Sequence, residues 1–205
     1  MLSDRHSPRA ASTREKTSAL TWLLAALVGA FALELVLASS WFNVSGQLRQ
    51  GLAVSPAGLA GGRVWTLATY WMLHSSTNFF HIGLVLAGLY VFGRELEPAL
   101  GARRFVALFA GSVLLGGVFW TAVHWHQDGL LLGSTAGLCG LLVLYAVLFP
   151  DREFGFLLFF FFPVTLRPGH LVLGLFVLDL FAFGFYEILG NPPPFAYAPP
   201  PISAA

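Results

Sequence analysis

The hydrophobic and polar positions of this chain alternate in long blocks rather than in short periods. Five apolar runs cover residues 19–40, 71–92, 105–122, 133–149 and 169–189. Each run is close to the roughly 20 residues that an α-helix needs to cross about 30 Å of hydrocarbon. The pattern therefore predicts an all-α fold, a polytopic bundle of five transmembrane helices.

The polar segment before the first run admits two interpretations. Residues 1–18 carry several basic side chains, and a basic start followed by an apolar run is also typical of a signal peptide. The length of the run and the lack of a clear cleavage site favour a first transmembrane helix. We therefore expect a polar cytoplasmic tail over residues 1–18, a membrane domain over 19–189 and a Pro-rich tail over 190–205.

The connections between the runs differ in character. Residues 41–69 are too apolar for a free linker, and a lipid-facing loop without hydrogen-bond partners is excluded. We expect this first loop to lie at the membrane interface, with Trp41 and Trp65 in the aromatic belt. Residues 93–104 indicate a short charged turn. Residues 154–162 are nearly all Phe and Leu but too short to span, and we expect them to dip into the inner leaflet.

Composition agrees with a membrane protein and excludes several function classes. Apolar residues make up 57% of the chain and charged residues 10%, whereas about a quarter of a soluble domain is charged. The net charge of +1 gives no electrostatic footprint for nucleic acid, so the expected partner is the lipid bilayer. Cys139 is the single cysteine, which leaves no disulfide framework. We expect no metal and no cofactor, because neither metal-ligand spacing nor a phosphate loop is present.

Two acids and two histidines raise separate questions. Glu34 and Asp179 lie deep in apolar runs, where a carboxylate is costly and needs a partner or water. For Glu34 we favour a hydrogen-bonded packing role over a functional one. His124 and His126 have the i, i+2 spacing of a metal pair, but an exposed polar loop is favoured because no third ligand accompanies them.

The distribution of Lys and Arg predicts the orientation. Nine of these side chains fall on one side of the predicted bundle, while Arg49 and Arg63 fall on the other. Loops rich in Lys and Arg stay in the cytoplasm, so we expect a cytoplasmic N-terminus in a bacterial inner (plasma) membrane. The resulting topology puts Thr135 just below the outer surface, at the start of a helix that runs inward.

The start of the fourth run carries the strongest candidate chemistry. It reads Gly133-Ser134-Thr135-Ala136-Gly137-Leu138-Cys139-Gly140, with Thr135 as its most reactive hydroxyl. This motif and the pieces around it resemble the rhomboid family of intramembrane serine proteases over residues 62–185. The other matching pieces are Trp65-Thr66-Leu67-Ala68-Thr69-Tyr70, Leu73-His74, His81, Phe92-Gly93-Arg94-Glu95-Leu96-Glu97, Gly101-Ala102-Arg103-Arg104-Phe105 and Leu148-Phe149-Pro150.

The resemblance implies a protease site from which this sequence departs. In the family a serine on the fourth helix attacks a peptide carbonyl and a histidine on a sixth helix takes its proton. A second histidine, an asparagine and a backbone N–H hold the oxyanion. Here Thr135 occupies the serine position, with Gly133 and Ser134 in the oxyanion and substrate-binding region, His81 at the oxyanion histidine and Val85 at the asparagine. No sixth apolar run carries the base, and no other histidine is expected to replace it.

These departures lead to one expected function and two alternatives. We expect a rhomboid-like pseudoprotease, inactive as an enzyme, that binds the transmembrane segments of single-pass proteins. The first alternative is an active rhomboid serine-type endopeptidase whose sequence is truncated or degenerate. The second is a membrane relative with a purely structural role, since a fold does not imply a function. The sequence does not determine the oligomeric state.

Overall fold

The computed structural model is built mainly of helices. It describes residues 18–39, 44–74, 79–158, 162–182 and 184–185. The described part of the chain falls into two compact units, one that ends at Gly137 and one that begins at Leu138. Its elements are α1 (Ala19–Ala38), α2 (Ser45–Leu52), α3 (Pro56–Ala60), α4 (Thr66–Thr69), a 3₁₀ turn (Tyr70–Met72), α5 (Phe79–Leu100), α6 (Ala102–Val123), α7 (Thr135–Leu148), β1 (Phe154–Leu158), β2 (Phe162–Leu166) and α8 (Pro168–Ala182).

Each of the five apolar runs contains a helix, which confirms the all-α membrane fold. Among the described residues, α1, α5 and α6 have 20, 22 and 22 residues and are long and apolar enough to cross a membrane. The fourth and fifth runs form the shorter apolar helices α7 and α8. Residues 186–189 of the fifth run, and the predicted tail over 190–205, lie outside the described part of the chain.

The charged turn predicted over residues 93–104 is wrong. α5 begins at Phe79, eight residues later than predicted, and continues through Pro98 to Leu100. The chain turns only at Gly101, whose φ of 78° lies in the left-handed region that glycine adopts readily. Pro98 lies in the last turn, three residues before the chain turns at Gly101.

Glu97, one of the charged residues of this segment, has a structural role near the end of α5. Its carboxylate accepts hydrogen bonds from the backbone N–H groups of Ala19 at 2.7 Å and Leu20 at 3.0 Å. A helix N-terminus leaves such N–H groups unpaired and favours a nearby negative charge. The acid therefore caps α1 from the end of α5, a contact that no local pattern reveals.

Replacing Glu97 with alanine is expected to lower the free energy of unfolding by about 2 kcal/mol, because two charge-assisted hydrogen bonds are lost. Unfolding in mixed micelles, followed by circular dichroism, measures this change. Glu97→Gln keeps one acceptor oxygen and is expected to show an intermediate loss. Equal stability of the wild type and Glu97→Ala would contradict the capping role.

The core of the first unit lies where α1, α5 and α6 pack against one another. Its fully buried side chains include Leu27, Leu89, Leu96 and Phe105. A Cβ atom at Gly93 would lie 2.6 Å from Leu20 Cδ1, so the small residue permits α1 to approach α5 closely. Large apolar side chains on the outer face of α6, such as Leu115 and Phe119, are exposed, as expected for a helix that faces lipid.

The described part of the first loop is folded rather than free. Trp65 donates its indole N–H to the carbonyl of Gly51 at 3.0 Å. Tyr70 is buried and donates its hydroxyl to the carbonyl of Val113 at 2.7 Å, which ties the loop to α6. The interfacial location of the loop stays a prediction, and Trp41 lies outside the described residues.

The second unit contains a β-hairpin that the hydrophobic pattern did not predict. β1 and β2 pair antiparallel, with Phe154 opposite Leu166 and Phe156 opposite Val164. Residues 154–158 of the short apolar stretch form a strand because β2 supplies the partner hydrogen-bonding groups, and residues 159–161 lie outside the described part of the chain. The insertion of this stretch into the inner leaflet stays a prediction.

Candidate functional site

The turn before α7 is held by a backbone contact to the first loop. The N–H of Gly133 donates to the carbonyl of Tyr70 at 3.0 Å. Gly133 has a φ of 104°, which side chains other than glycine rarely adopt. The turn buries Ser134 completely and leaves Thr135, the first residue of α7, exposed.

Two hydroxyl–imidazole pairs form at this turn. Ser134 Oγ lies 3.3 Å from His74 Nε2, and Thr135 Oγ1 lies 3.4 Å from His81 Nε2. The centroids of the two imidazole rings are 6.0 Å apart. Both O–N distances exceed those of the strongest hydrogen bonds. We call these four side chains the hydroxyl–histidine cluster.

The cluster combines residues that sequence reasoning singled out with one that it did not. Thr135, Ser134 and His81 were candidates, and the structure brings all three together. Gly133 belongs with them, because a Cβ atom there would lie 3.5 Å from His81 Nε2. His74 was not among the predicted site residues. The only available signal was its place in the Leu73-His74 piece of the family pattern.

Val85, the remaining candidate, belongs to the core. It lies on α5 four residues after His81, and only 3% of its surface is exposed. Its side chain has no hydrogen-bond donor. A carbonyl oxygen near His81 would therefore receive no hydrogen bond from this position.

His74 is fully buried, just ahead of the spanning helix α5. Its backbone N–H donates to Glu34 Oε2 at 2.9 Å, and its ring lies edge-on to Phe31 with the centroids 6.5 Å apart. Within the described ranges its Nδ1 makes no hydrogen bond. Burial lowers the pKa of His74 to about 4, because surroundings of low polarity penalise the charged imidazolium. The ring beside Ser134 is thus neutral at physiological pH.

Acidification is expected to destabilise the protein through His74. Its folded-state pKa of about 4 lies below the ordinary value of 6.5, so between these values the unfolded chain binds the proton more readily. The contribution of the neutral His74 to the free energy of unfolding is fully present above pH 6.5. It falls, by at most about 1.4 kcal/mol per pH unit, as the pH drops towards 4. Unfolding titrations between pH 7 and pH 5 measure the slope, and His74→Asn is expected to flatten it. An unchanged slope in this variant would contradict the assignment.

The two loop histidines contribute to no metal site in the described structure. The His124 ring stacks on Trp120, with the centroids 4.4 Å apart, and its Nδ1 lies 2.8 Å from the Trp120 carbonyl oxygen. His126 is exposed. Over the residues that the structure describes, no three His, Cys, Asp or Glu side chains come close enough to hold a metal ion.

Comparison with known proteins decides the family. The model of the rhomboid domain matches residues 61–191, more than half of the chain. The chain belongs to the rhomboid family. The matched segment contains the whole hydroxyl–histidine cluster, so in this rhomboid the cluster is part of the family domain rather than of an added segment.

Two relatives match parts of this rhomboid. Rhomboid protein 1, mitochondrial, of Saccharomyces cerevisiae is 32% identical over 102 residues, which are 46% of this chain and 27% of the yeast protein. YdcA of Bacillus subtilis is 32% identical over 100 residues, which are 48% of this chain and 49% of YdcA. The chain thus spans about a quarter and about half of the lengths of these relatives. No solved structure matches it.

Proposed function

We propose that this rhomboid is a pseudoprotease that binds transmembrane segments of other proteins without hydrolysing them. Val85 carries the proposal. It stands where the family has an oxyanion asparagine, and it is buried one turn beyond His81. Catalysis of acyl transfer needs donors aimed at the oxygen on which negative charge develops, and the valine side chain supplies none.

Thr135 supports the same proposal from the side of the nucleophile. Its β-methyl group restricts χ1, and a threonine hydroxyl attacks a carbonyl only when a base activates it. Loss of one oxyanion donor costs about 10²–10³ in kcat, and loss of an effective nucleophile costs about 10⁴–10⁶. These factors are not additive, but either is large enough to remove useful proteolysis.

The binding role is supported by what the chain retains. The turn before α7 is bonded to the first loop, Glu97 caps α1, and His81 lies beside Thr135, so the contacts that shape the site are present. The proposal includes location in a bacterial inner membrane, and the excess of Lys and Arg on one side supports a cytoplasmic N-terminus.

A second candidate function, residual hydrolysis, is favoured by one contact. Thr135 Oγ1 and His81 Nε2 are 3.4 Å apart, within the looser range that nucleophile–base pairs show without substrate. In this candidate His81 acts as the base rather than as an oxyanion donor. It accepts the proton of Thr135 while the hydroxyl oxygen attacks the carbonyl.

Capture and cleavage assays separate the two candidates. The full chain in lipid vesicles is exposed to a transmembrane peptide with a photo-crosslinker and, separately, to a fluorophosphonate probe. We expect crosslinked peptide, no cleavage fragments and no labelling, and we expect Thr135→Ala to leave capture unchanged. Labelling or cleavage that disappears in both Thr135→Ala and His81→Ala would establish the hydrolase instead. Absence of both capture and cleavage would favour a structural role.

A further inference from the structure

The two acids of the apolar runs have opposite surroundings. Glu34 is buried, and Arg49 donates to its Oε1 from Nε at 3.1 Å and from Nη2 at 3.0 Å. Asp179 on α8 is exposed, and among the described residues it forms no ion pair and no hydrogen bond. A carboxylate within an apolar membrane helix is costly and normally faces a partner. Within the described part of the chain, Asp179 is therefore left open to a group that approaches α8.

Asp179 lies at one end of an apolar groove within the second unit. The groove is lined from α7 by Cys139, Leu142 and Val143, and from α8 by Val172, Leu175 and Phe176. The lining positions of each helix follow the i, i+3, i+4 spacing of a single face, and Asp179 extends the α8 face by one more turn. Because Leu175 and Phe176 are 41% and 64% exposed, the groove is open to a helix that approaches from the membrane.

We propose that this groove binds a transmembrane helix of another protein that carries a lysine or arginine within its apolar stretch. The apolar walls pack against the helix, and Asp179 accepts a charge-assisted hydrogen bond from the basic side chain. Burying both charges in one contact offsets the cost that each one has in the hydrocarbon. This inference rests on the proposed role in binding transmembrane segments and specifies which segments are bound.

Charge complementarity argues against a second copy of this chain as the occupant. The chain has 11 Lys and Arg residues, and none lies in the middle of a described apolar helix. Those within such helices are Arg94, the sixteenth of the 22 residues of α5, and Arg103 and Arg104 at the start of α6. In the topology that we expect, all three lie on the cytoplasmic side, whereas Asp179 lies eleven residues into α8 as this helix leaves that side. A second copy therefore offers no cation at the depth of Asp179.

Peptide binding in vesicles tests the inference. The full chain, labelled with a donor fluorophore, is titrated with an acceptor-labelled Leu/Ala transmembrane peptide that has one central lysine. A matched peptide has leucine at this position. We expect the lysine peptide to bind at least about tenfold more tightly, because a charge-assisted hydrogen bond is added. Asp179→Asn is expected to abolish this preference. Leu178→Asn, an exposed neighbour on α8 that does not line the groove, is expected to retain it.

Each contrary result has a distinct meaning. Equal binding of the two peptides, or a preference that survives Asp179→Asn, would overturn the inference and leave the pseudoprotease proposal intact. If neither peptide binds, both proposals fail. Self-association of the chain that is lost in Asp179→Asn would make a second copy the occupant and would also overturn the inference.

Discussion

Replacing Glu34 with alanine is expected to lower the free energy of unfolding by about 3–5 kcal/mol, the typical effect of removing one partner from a buried ion pair. Only 1% of Glu34 is exposed. Its carboxylate accepts hydrogen bonds from the Arg49 guanidinium and, at 2.9 Å, from the backbone N–H of His74. The substitution removes the acceptor for both groups in a region with little access to water. It therefore loosens the contacts of α1 with α2 and with the segment that positions His74.

Unfolding of Glu34→Ala in mixed micelles measures this loss, and a second ion pair provides the control. Glu153 and Arg167 are 3.9 Å apart, with 58% and 56% of their side chains exposed. Exposed pairs contribute about 0–1 kcal/mol, so Glu153→Ala is expected to leave stability nearly unchanged. Similar losses in Glu34→Ala and Glu153→Ala would show that the Glu34 network does not stabilise the bundle.

The second large effect is expected at the contact of α6 with the start of α7. A Cβ atom at Gly116 would lie 2.5 Å from Ala136 Cβ, closer than two non-bonded carbon atoms can approach. Ala136 Cβ has no rotamer to escape into, so the helices themselves must move apart. Gly116→Ala is therefore expected to lose about 1–3 kcal/mol, the usual cost of overpacking a filled core. The shift is also expected to displace Thr135 from His81.

Gly111, on the same helix, gives a matched control. No atom lies within 4 Å of a Cβ placed there, and alanine stabilises a helix interior by roughly 0.5–1 kcal/mol relative to glycine. Gly111→Ala is thus expected to be neutral or slightly stabilising in the same unfolding assay. Equal losses in Gly111→Ala and Gly116→Ala would contradict close helix contact at Gly116.

For Glu34, the sequence predicted the structural role but not the partner. A hydrogen-bonded packing role was predicted from its depth in an apolar run, and its burial and three hydrogen bonds confirm this. Its partner Arg49 was not predicted. Arg49 lies in the first loop, and the path of a loop depends on tertiary contacts such as the Tyr70 hydrogen bond to Val113, which leave no local pattern.

The hydroxyl–histidine cluster was likewise predictable from the sequence only in part. The family pattern singled out Thr135 and His81, and the expected topology put Thr135 at the start of a helix. The pairing of Ser134 with His74 was not predictable. These two residues are 60 positions apart, and their contact depends on how the turn before α7 packs against the segment before α5. Whether Thr135 is catalytically active stays a prediction.

The sequence by itself determined the membrane class, the five apolar helices and the rhomboid family. Hydropathy and helix length are local properties, and a family pattern needs only order and spacing. The tertiary structure decided the continuation of α5 to Leu100, the β-hairpin and the Glu34–Arg49 ion pair. It also decided that Glu34 is paired, whereas Asp179 has no hydrogen-bond or ion-pair partner among the described residues. Each of these depends on a partner that is distant in sequence, because a carboxylate, an N–H group or a strand edge is satisfied only by what the fold brings next to it.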